Sequence, residues 1–341
     1  MSDVFGAFAT VLFGMAILAA ALGGLYFLTR YLPGSWRERG QVLVFVGPAV
    51  FLVFVGLFVP AVRTVWVSFR DDSGRRFVGL DNYNEIFSGK GTRLILFNSF
   101  TWVVGGTLFV VIVGLAIARF ADGMRGERIW KSMIFIPAAI SLAGAGIIWK
   151  FVYAGPPFEN GLANQVAKAV PGLPASFGGE GDKIWLVDRN LGSLNPPASA
   201  PGLNTIMLVV IFIWAAAGLA TVFFSAAIKG VPDALIDAAR VDGATQRQVF
   251  YKVTLPYISA TVVAVATITA IGALKAFDIV IATTGGNFGT STIANEFYQT
   301  KFVQGRNGLG AALAVLIFVL VIPIVVMNRQ AQKRAEEMMG A

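Results

Sequence analysis

The chain has 341 residues, of which 56% are hydrophobic and only 13% are charged, and its mean hydropathy is +0.71. Soluble domains carry about 25% charged residues. The composition therefore excludes an ordinary soluble domain and predicts an all-α polytopic membrane protein. The sequence contains no Cys and no His, which excludes thiol nucleophiles, disulfides, and zinc or imidazole chemistry. The net charge of +8 does not indicate nucleic-acid binding, because short basic loops on the cytoplasmic side of a membrane explain it better.

Seven apolar segments are long enough to cross the roughly 30 Å of bilayer hydrocarbon. The first, at 4–28, has no basic residue ahead of its apolar stretch and is followed by Arg30. This pattern predicts a retained helix with its N-terminus outside, and not a cleaved signal peptide. The other segments lie at 42–69, 94–118, 129–153, 203–228, 257–281 and 309–327.

The loops between these segments alternate in their density of basic residues. One set is short and rich in Lys and Arg, and comprises 30–41, 119–131, 229–253 and the C-terminal tail. The other set is longer with sparser basic residues, and comprises 70–96, 154–202 and 282–308. By the positive-inside rule the first set is cytoplasmic, and the C-terminus is expected on the same side.

A charged insertion at 230–256 separates the fifth and sixth segments, and its first part has the pattern of a short helix. Pro232 suits the first turn, and Gly243 can adopt the left-handed conformation that ends a helix. Asp237 can pair with Arg240 three residues later. Five apolar residues at helical spacing form one stripe: Val231, Ala234, Leu235, Ala238 and Val241. Because helices of about ten residues are marginal in isolation, this helix is expected to dock on another protein.

The spacing within the insertion resembles the EAA loop of the permease subunits of ABC importers. Asp237-Ala238-Ala239 is followed by Gly243, six residues after the acid, and then by Leu255-Pro256. In that family the loop is the coupling helix that grips the ATPase, so the resemblance implies a type I ABC importer permease fold. It assigns the ATPase contact to Pro232, Leu235, Asp237, Ala238, Ala239, Asp242, Gly243, Ala244 and Pro256. Asp237 stands where Glu is usual in the family, which keeps the charge and shortens the side chain.

From residue 42 onward the order of segments is similar to the MalF-type permease of carbohydrate importers. Two short stretches resemble that family: Phe135-Ile136-Pro137 and Ile148-Trp149-Lys150. The segment 277–290 resembles permeases of its α-glucoside, trehalose and maltose subgroup. The resemblance implies an extra N-terminal transmembrane helix and cytoplasmic link at 1–41. It further implies a six-helix permease core at 42–328 with the coupling loop at 230–256, and a cytoplasmic tail at 329–341.

The same resemblance implies the other parts of the importer. They are a second, MalG-type permease, an ABC ATPase homodimer and an extracytoplasmic sugar-binding protein, assembled in the lipid of a bacterial or archaeal plasma (inner) membrane. The chain has no Gly-x-x-x-x-Gly-Lys-Ser/Thr motif, since Ser88-Gly89-Lys90-Gly91-Thr92 lacks the upstream Gly. ATP and Mg are therefore expected on the partner ATPase. This chain is expected to be a transporter subunit without enzymatic activity, cofactor or metal site.

A sugar pathway requires aromatic faces and a few hydrogen-bonding groups that are shielded from lipid. The fifth segment offers Trp214, Gly218 and Thr221 at helical spacing, and the sixth offers Thr269, Gly272 and Ala273, a face where the resemblance implies sugar contacts. Ordinary helix packing is the competing interpretation, because small residues are common at membrane helix interfaces. Lys275 and Asp278 are expected either to line the pathway or to reach the outer interface.

A second class of function is a secondary transporter or channel that works without ATP. Such proteins often contain inverted repeats and ion-coupling carboxylates within their spans. The sequence shows no clear internal repeat and almost no carboxylates in the apolar segments, so the ABC importer interpretation is favoured. A membrane-embedded enzyme would have few groups for catalysis.

Overall fold

The computed structural model describes residues 2–29, 31, 33–89, 91–156, 161–174, 178–190, 196–198 and 200–339. Within these ranges the regular structure is helical, and the β-type pairing is an isolated bridge between Arg70 and Phe77. The prediction of an all-α protein is therefore confirmed. The chain divides into two compact units, Met1–Trp66 and Val67–Ala341.

The first unit contains two helices that pack on each other and most of a third. They are α1 (Ser2–Thr29), α2 (Gly34–Val53) and α3 (Val59–Val67), with a π turn at Phe54–Phe58 joining α2 to α3. The rings of Tyr26 and Phe45 lie 5.5 Å apart between α1 and α2. The continuous helical stretch that ends at Val67 is long and apolar enough to cross a membrane.

The second unit contains the remaining helices. In chain order they are α4 (Asp81–Ser88), α5 (Thr92–Phe100), α6 (Thr107–Ala121), α7 (Glu127–Phe135), α8 (Leu142–Val152), α9 (Leu162–Ala169), α10 (Leu203–Lys229), α11 (Asp233–Val241), α12 (Gln246–Val249), α13 (Leu255–Tyr257), α14 (Ser259–Leu274), α15 (Asp278–Thr283), α16 (Ile293–Tyr298) and α17 (Asn307–Met339). Wider or tighter turns join some of them: π turns at Thr101–Gly106, Phe250–Thr254 and Gln299–Val303, and a 3₁₀ turn at Ile136–Ala139.

The core of the second unit forms around α10, which packs against α6, α7, α8 and α14. Trp102, Ile211 and Phe224 are fully buried there. The crossing of α6 and α10 depends on Gly114, since a Cβ at that position would lie 2.7 Å from Ala220 Cβ. Small residues at such a crossing let the two helix backbones approach closely, as is usual in membranes.

Prolines explain two of the π turns. Pro60 lacks the N–H that would bond the Gly56 carbonyl within Phe54–Phe58, and Pro256 has the same relation to Lys252 within Phe250–Thr254. A wider turn at these points removes the clash between the proline ring and the carbonyl four residues earlier. Pro256 of the EAA-like motif therefore shapes the backbone between α12 and α14.

Two of the predicted membrane segments are interrupted. The segment expected at 129–153 bends by 102° between α7 and α8, where Ser141 Oγ caps the new helix by accepting the Gly144 N–H at 3.1 Å. The segment expected at 257–281 begins at a 67° bend before α14 and breaks again after Leu274. By length and composition, four helices of the described residues can cross a membrane, or six if each bent pair is one span.

Candidate functional site

The insertion between α10 and α14 forms a short helix, as the sequence predicts. Pro232 precedes α11 in an extended conformation, and Gly243 ends the turn after it with φ of +78°. The Asp242 N–H donates to the Ala238 carbonyl and the Ala244 N–H donates to the Ala239 carbonyl, each at 3.0 Å. A left-handed glycine with such bonds is a common end for a helix.

Most of the predicted apolar stripe on α11 is uncovered. Val231 is buried, whereas Ala234, Leu235 and Ala238 are exposed and Val241 is 87% exposed. The half-buried residues of α11 are Ile236 and Ala239, on its other side. Asp237 is also exposed and accepts a hydrogen bond from Arg240 Nη1 at 3.2 Å. These positions are therefore open to a protein partner, as expected for a helix this short.

The sequence contains a signal after α11 that we did not predict. Thr245 Oγ1 accepts the Gln248 N–H at 3.4 Å, and Gln248 Oε1 accepts the Thr245 N–H at 2.8 Å. This capping box starts α12 and fixes the direction of the chain as it leaves α11. The Thr-x-x-Gln spacing identifies it from sequence alone.

A polar cavity of about 270 Å³ lies beneath α11. Ile236 and Arg240 line it from α11, and Asp122 lines it from the end of α6. Arg119 also lines it, with its guanidinium carbon 5.7 Å from the centroid of the Phe250 ring. The cavity therefore lies between α11, the end of α6 and the π turn at Phe250–Thr254.

An ionic cluster joins α7 to the end of α10, where α10 runs into the insertion at 230–256. Glu127 accepts hydrogen bonds from Lys131 and from Lys229, the latter at 2.6 Å. Lys131 also donates to Ser225 Oγ on α10. Sequence reasoning did not find this cluster, because its members lie in two distant segments and no local spacing relates them.

The predicted pathway residues of α10 face other helices of the chain. Trp214 packs edge-on against Trp149, with 5.7 Å between ring centroids. A Cβ on Gly218 would lie 2.3 Å from the Ile134 carbonyl oxygen, so α7 crosses α10 at this point. Thr221 is buried and donates to the Ala217 carbonyl at 2.8 Å. Gly218 and Thr221 thus have packing roles, and their place in a pathway stays a prediction.

The predicted pathway residues near the end of α14 fall into two groups. Thr269 and Ala273 are buried and Gly272 is half-buried, with the nearest Phe212 ring atom 4.0 Å from a Cβ built on the glycine. Lys275 and Asp278 are exposed on either side of the break between α14 and α15. The latter two are therefore accessible to solvent, a substrate or a second subunit.

Two buried amides within apolar helices were also missed. Asn98 of α5 donates to the Gly289 and Ser291 carbonyls at 2.8 and 2.9 Å, and Asn204 of α10 donates to the Phe288 carbonyl at 2.9 Å. Polar side chains within apolar spans usually make hydrogen bonds between helices or loops. An Asn inside an apolar segment was therefore a signal that the sequence offered. Across the described residues no group of acidic side chains is suited to hold a metal ion.

Comparison with known proteins identifies relatives over nearly the whole chain. Residues 4–337 match the family described as binding-protein-dependent transport system inner membrane component. The chain is 38% identical over 299 residues to the osmoprotective compounds uptake permease protein GgtC of Synechocystis, covering 86% of this chain and 100% of that protein. It is 36% identical over 289 residues to the alpha-glucoside transport system permease protein AglF of Rhizobium meliloti, covering 84% and 80%.

More distant similarities agree with these. The trehalose/maltose transport system permease protein MalF of Thermococcus litoralis is 24% identical over 294 residues, covering 84% of this chain and 92% of that protein. The crystal structure of a bacterial ABC transporter that imports the acidic polysaccharide alginate matches with a TM-score of 0.70 at 18% identity, covering 88% of this chain and 98% of that chain. The predicted type I permease fold is thereby confirmed, as is the resemblance to carbohydrate importer permeases.

Proposed function

Because the chain belongs to the family of inner membrane components of binding-protein-dependent transport systems, it is a multi-pass permease subunit of an ABC importer, and we propose that its cargo is a sugar of the α-glucoside, trehalose or maltose class. Relatives named for alpha-glucosides and for trehalose and maltose support this class. The similarity of 277–290 to that subgroup agrees with it.

The observation that carries the coupling proposal is the exposure of α11. This helix connects α10 to the helices that lead into α14, and both α10 and α14 belong to the core. A partner that binds Leu235, Asp237 and Ala238 would therefore pull directly on core helices. We assign the ATPase contact to Pro232, Leu235, Asp237, Ala238, Ala239, Asp242, Gly243, Ala244 and Pro256, with Gly243 and Pro256 acting through the backbone.

The proposed assembly contains this chain, a second MalG-type permease, an ATPase homodimer and an extracytoplasmic sugar-binding protein. ATP and Mg bind the ATPase copies, because this chain lacks the phosphate-binding Gly-rich motif. In the inner membrane the N-terminus lies outside and the coupling loop and C-terminus lie in the cytoplasm, in agreement with the distribution of Lys and Arg.

The proposed pathway runs between this chain and the second permease. Lys275 and Asp278 are the residues whose exposure supports contact with a sugar. Trp214, Gly218, Thr221, Thr269, Gly272 and Ala273 would shape the wall behind them, since their contacts in this chain are with other helices.

Transport in proteoliposomes tests the proposal. We expect the assembled importer, supplied with its binding protein, to take up labelled trehalose or maltose only when ATP is on the ATPase side. A proton-gradient uncoupler should leave that uptake unchanged at constant ATP. Uptake that collapses with the uncoupler, or that persists without ATP, would establish secondary transport instead.

A further inference from the structure

Among the described residues Phe288 is the one non-glycine residue with a left-handed backbone, at φ of 57°. A residue with a side chain is strained in this region, whereas glycine is not. Gly285, Gly286 and Gly289 also have positive φ. The sequence thus places glycine at the neighbouring left-handed positions and keeps a phenylalanine at the position where glycine would relieve strain.

Buried amides hold Phe288 in this conformation. Asn204 donates to the Phe288 carbonyl, and Asn98 donates to the carbonyls of Gly289 and Ser291. Both asparagines have no exposed surface. Strained conformations persist where the surroundings over-determine them, so these three bonds explain how the backbone is held. They do not explain why the side chain is aromatic.

The Phe288 residue is only partly packed within the chain. It is 51% exposed, and no aromatic partner for it is found among the described residues. The chain therefore accepts backbone strain to present an apolar ring to its surroundings. Strained, rigidly held positions of this kind are typical of functional sites.

On these grounds we infer that Phe288 is a preformed anchor for the extracytoplasmic sugar-binding protein, whose surface would receive the ring in an apolar pocket. The inference rests on the proposed function, and on the sparse basic residues of 282–308, which put this segment among the loops opposite the cytoplasmic set. Aromatic side chains that enter a desolvated pocket dominate protein interfaces. An anchor held in its bound conformation also loses little entropy on binding.

The hydrogen bonds of polar residues near Phe288 in the chain, or in contact with Gly289, favour a protein partner over a sugar. Asn287 Nδ2 donates to the Thr284 carbonyl at 2.9 Å, and Arg189 Nη2 donates to the Ala200 carbonyl at 2.7 Å. The Thr290 hydroxyl donates to the Asn287 carbonyl at 2.7 Å. A sugar site needs several polar groups that converge on the ligand. Here those groups are bound within the chain and leave the apolar ring as the contact.

The decisive variant is Phe288→Gly in the assembled importer, because glycine fits the backbone and removes only the ring. We expect the melting temperature of the complex to stay equal or to rise, and the Kd of the sugar-loaded binding protein to rise at least about tenfold. Phe288→Tyr should restore the affinity. Phe87→Ala, at a similarly exposed ring on α4, serves as the matched control and should leave the Kd unchanged.

The readouts separate this inference from the proposed function. If the binding protein stimulates the wild-type ATPase and binds Phe288→Gly with unchanged Kd, the anchor is refuted and the importer remains. If no sugar-loaded binding protein stimulates the wild-type complex, both fail. A photoreactive benzoylphenylalanine at position 288 should crosslink to the binding protein. Crosslinks to lipid or to the second permease, or a changed sugar affinity at constant binding-protein Kd, would also overturn the anchor.

Discussion

At the scale of single residues, two glycines of this chain are required for opposite reasons. Gly218 is needed for space, since any Cβ would collide with the Ile134 carbonyl of α7. Gly243 has no atom within 4 Å of the position of a Cβ, yet its φ is +78°. The requirement at Gly243 is therefore one of backbone conformation alone.

This distinction makes Gly243→Val a clean test of rigid coupling. A β-branched residue at this φ costs on the order of 1–3 kcal/mol without any steric clash with neighbours. We expect the turn after α11 to rearrange, so that the importer hydrolyses ATP with less sugar moved per ATP. The measurement is the ratio of sugar uptake to phosphate release in proteoliposomes.

Two controls accompany it. Gly243→Asn should largely keep the wild-type ratio, because Asn tolerates the left-handed region. Gly172→Val introduces the same backbone strain in a different loop, 154–202. Gly172 has φ of 77°, and no atom lies within 4 Å of the position of an added Cβ. An uptake ratio for Gly243→Val that equals that of Gly172→Val would show that the turn need not be rigid.

At the scale of elements, α7 contacts α10 at two separate places. The close crossing at Gly218 is one, and the ionic cluster of Glu127, Lys131 and Lys229 is the other. The insertion at 230–256, which we propose couples to the ATPase, follows directly after α10, and the 102° bend to α8 follows α7. Displacement of α11 should therefore move α7 and α10 together and act on the bend.

The cluster can be tested with Glu127→Gln. Glutamine keeps the shape of the side chain and removes the charge that holds both lysines, so α7 should separate more easily from α10. We expect a lower melting temperature and less sugar moved per ATP. In a double-mutant cycle Lys229→Met should add little to Glu127→Gln, because the two changes remove one interaction.

Asp122→Asn is the matched control for this prediction. Asp122 lies 4.0 Å from Lys229, against 2.6 Å for Glu127. It should therefore have the smaller effect on both measurements. Equal effects of the two substitutions would mean that local net charge matters and the contact itself does not.

At the scale of the whole molecule, Arg306 joins parts of the second unit that are distant in sequence. Its guanidinium binds Asp72 at 2.8 Å and both oxygens of Glu85 at 2.6 and 2.9 Å. This ties the start of α17 to α4, beside an apolar cluster that includes Ile86 and Leu313. The hydrogen bond from Arg306 holds the pKa of Glu85 below its ordinary value of 4.5.

The free energy of unfolding depends on pH because the pKa of Glu85 differs between the folded and unfolded states. Because the pKa of Glu85 is lower in the folded state, its contribution is present above about pH 4.5 and is lost as pH falls through the lower, folded-state value. Glu85→Gln should lower the stability at pH 7 by about 0.2–1 kcal/mol, as for an exposed ion pair. As pH falls below about 4.5, the difference in stability between the variant and the wild type should narrow.

Thermal unfolding of the detergent-solubilised protein at pH 7 and pH 4 measures this effect. Glu180→Gln is the control, since Glu180 is exposed and no ion pair is found for it within the described residues. A difference between Glu85→Gln and wild type that persists unchanged at pH 4 would contradict the ion-pair origin of the stabilisation.

The properties that the sequence by itself determined are those that depend on nearby residues. Apolar length predicted seven membrane segments, of which the structure supports four, or six if each bent pair is one span. The limits of α11 followed from Pro232 and Gly243. The spacing from Asp237 to Pro256 identified the family. Each of these signals lies within one segment, because hydropathy, helix capping and turn conformation are set by local chemistry.

Only the tertiary structure decided the features that join distant segments. The bends at 102° and 67° depend on what packs against each helix. The partners of Glu127, the bonds from Asn98 and Asn204 that hold Phe288, and the crossing of Gly218 with α7 unite residues from different helices. No spacing rule relates such residues, since their contacts exist only once the helices have packed.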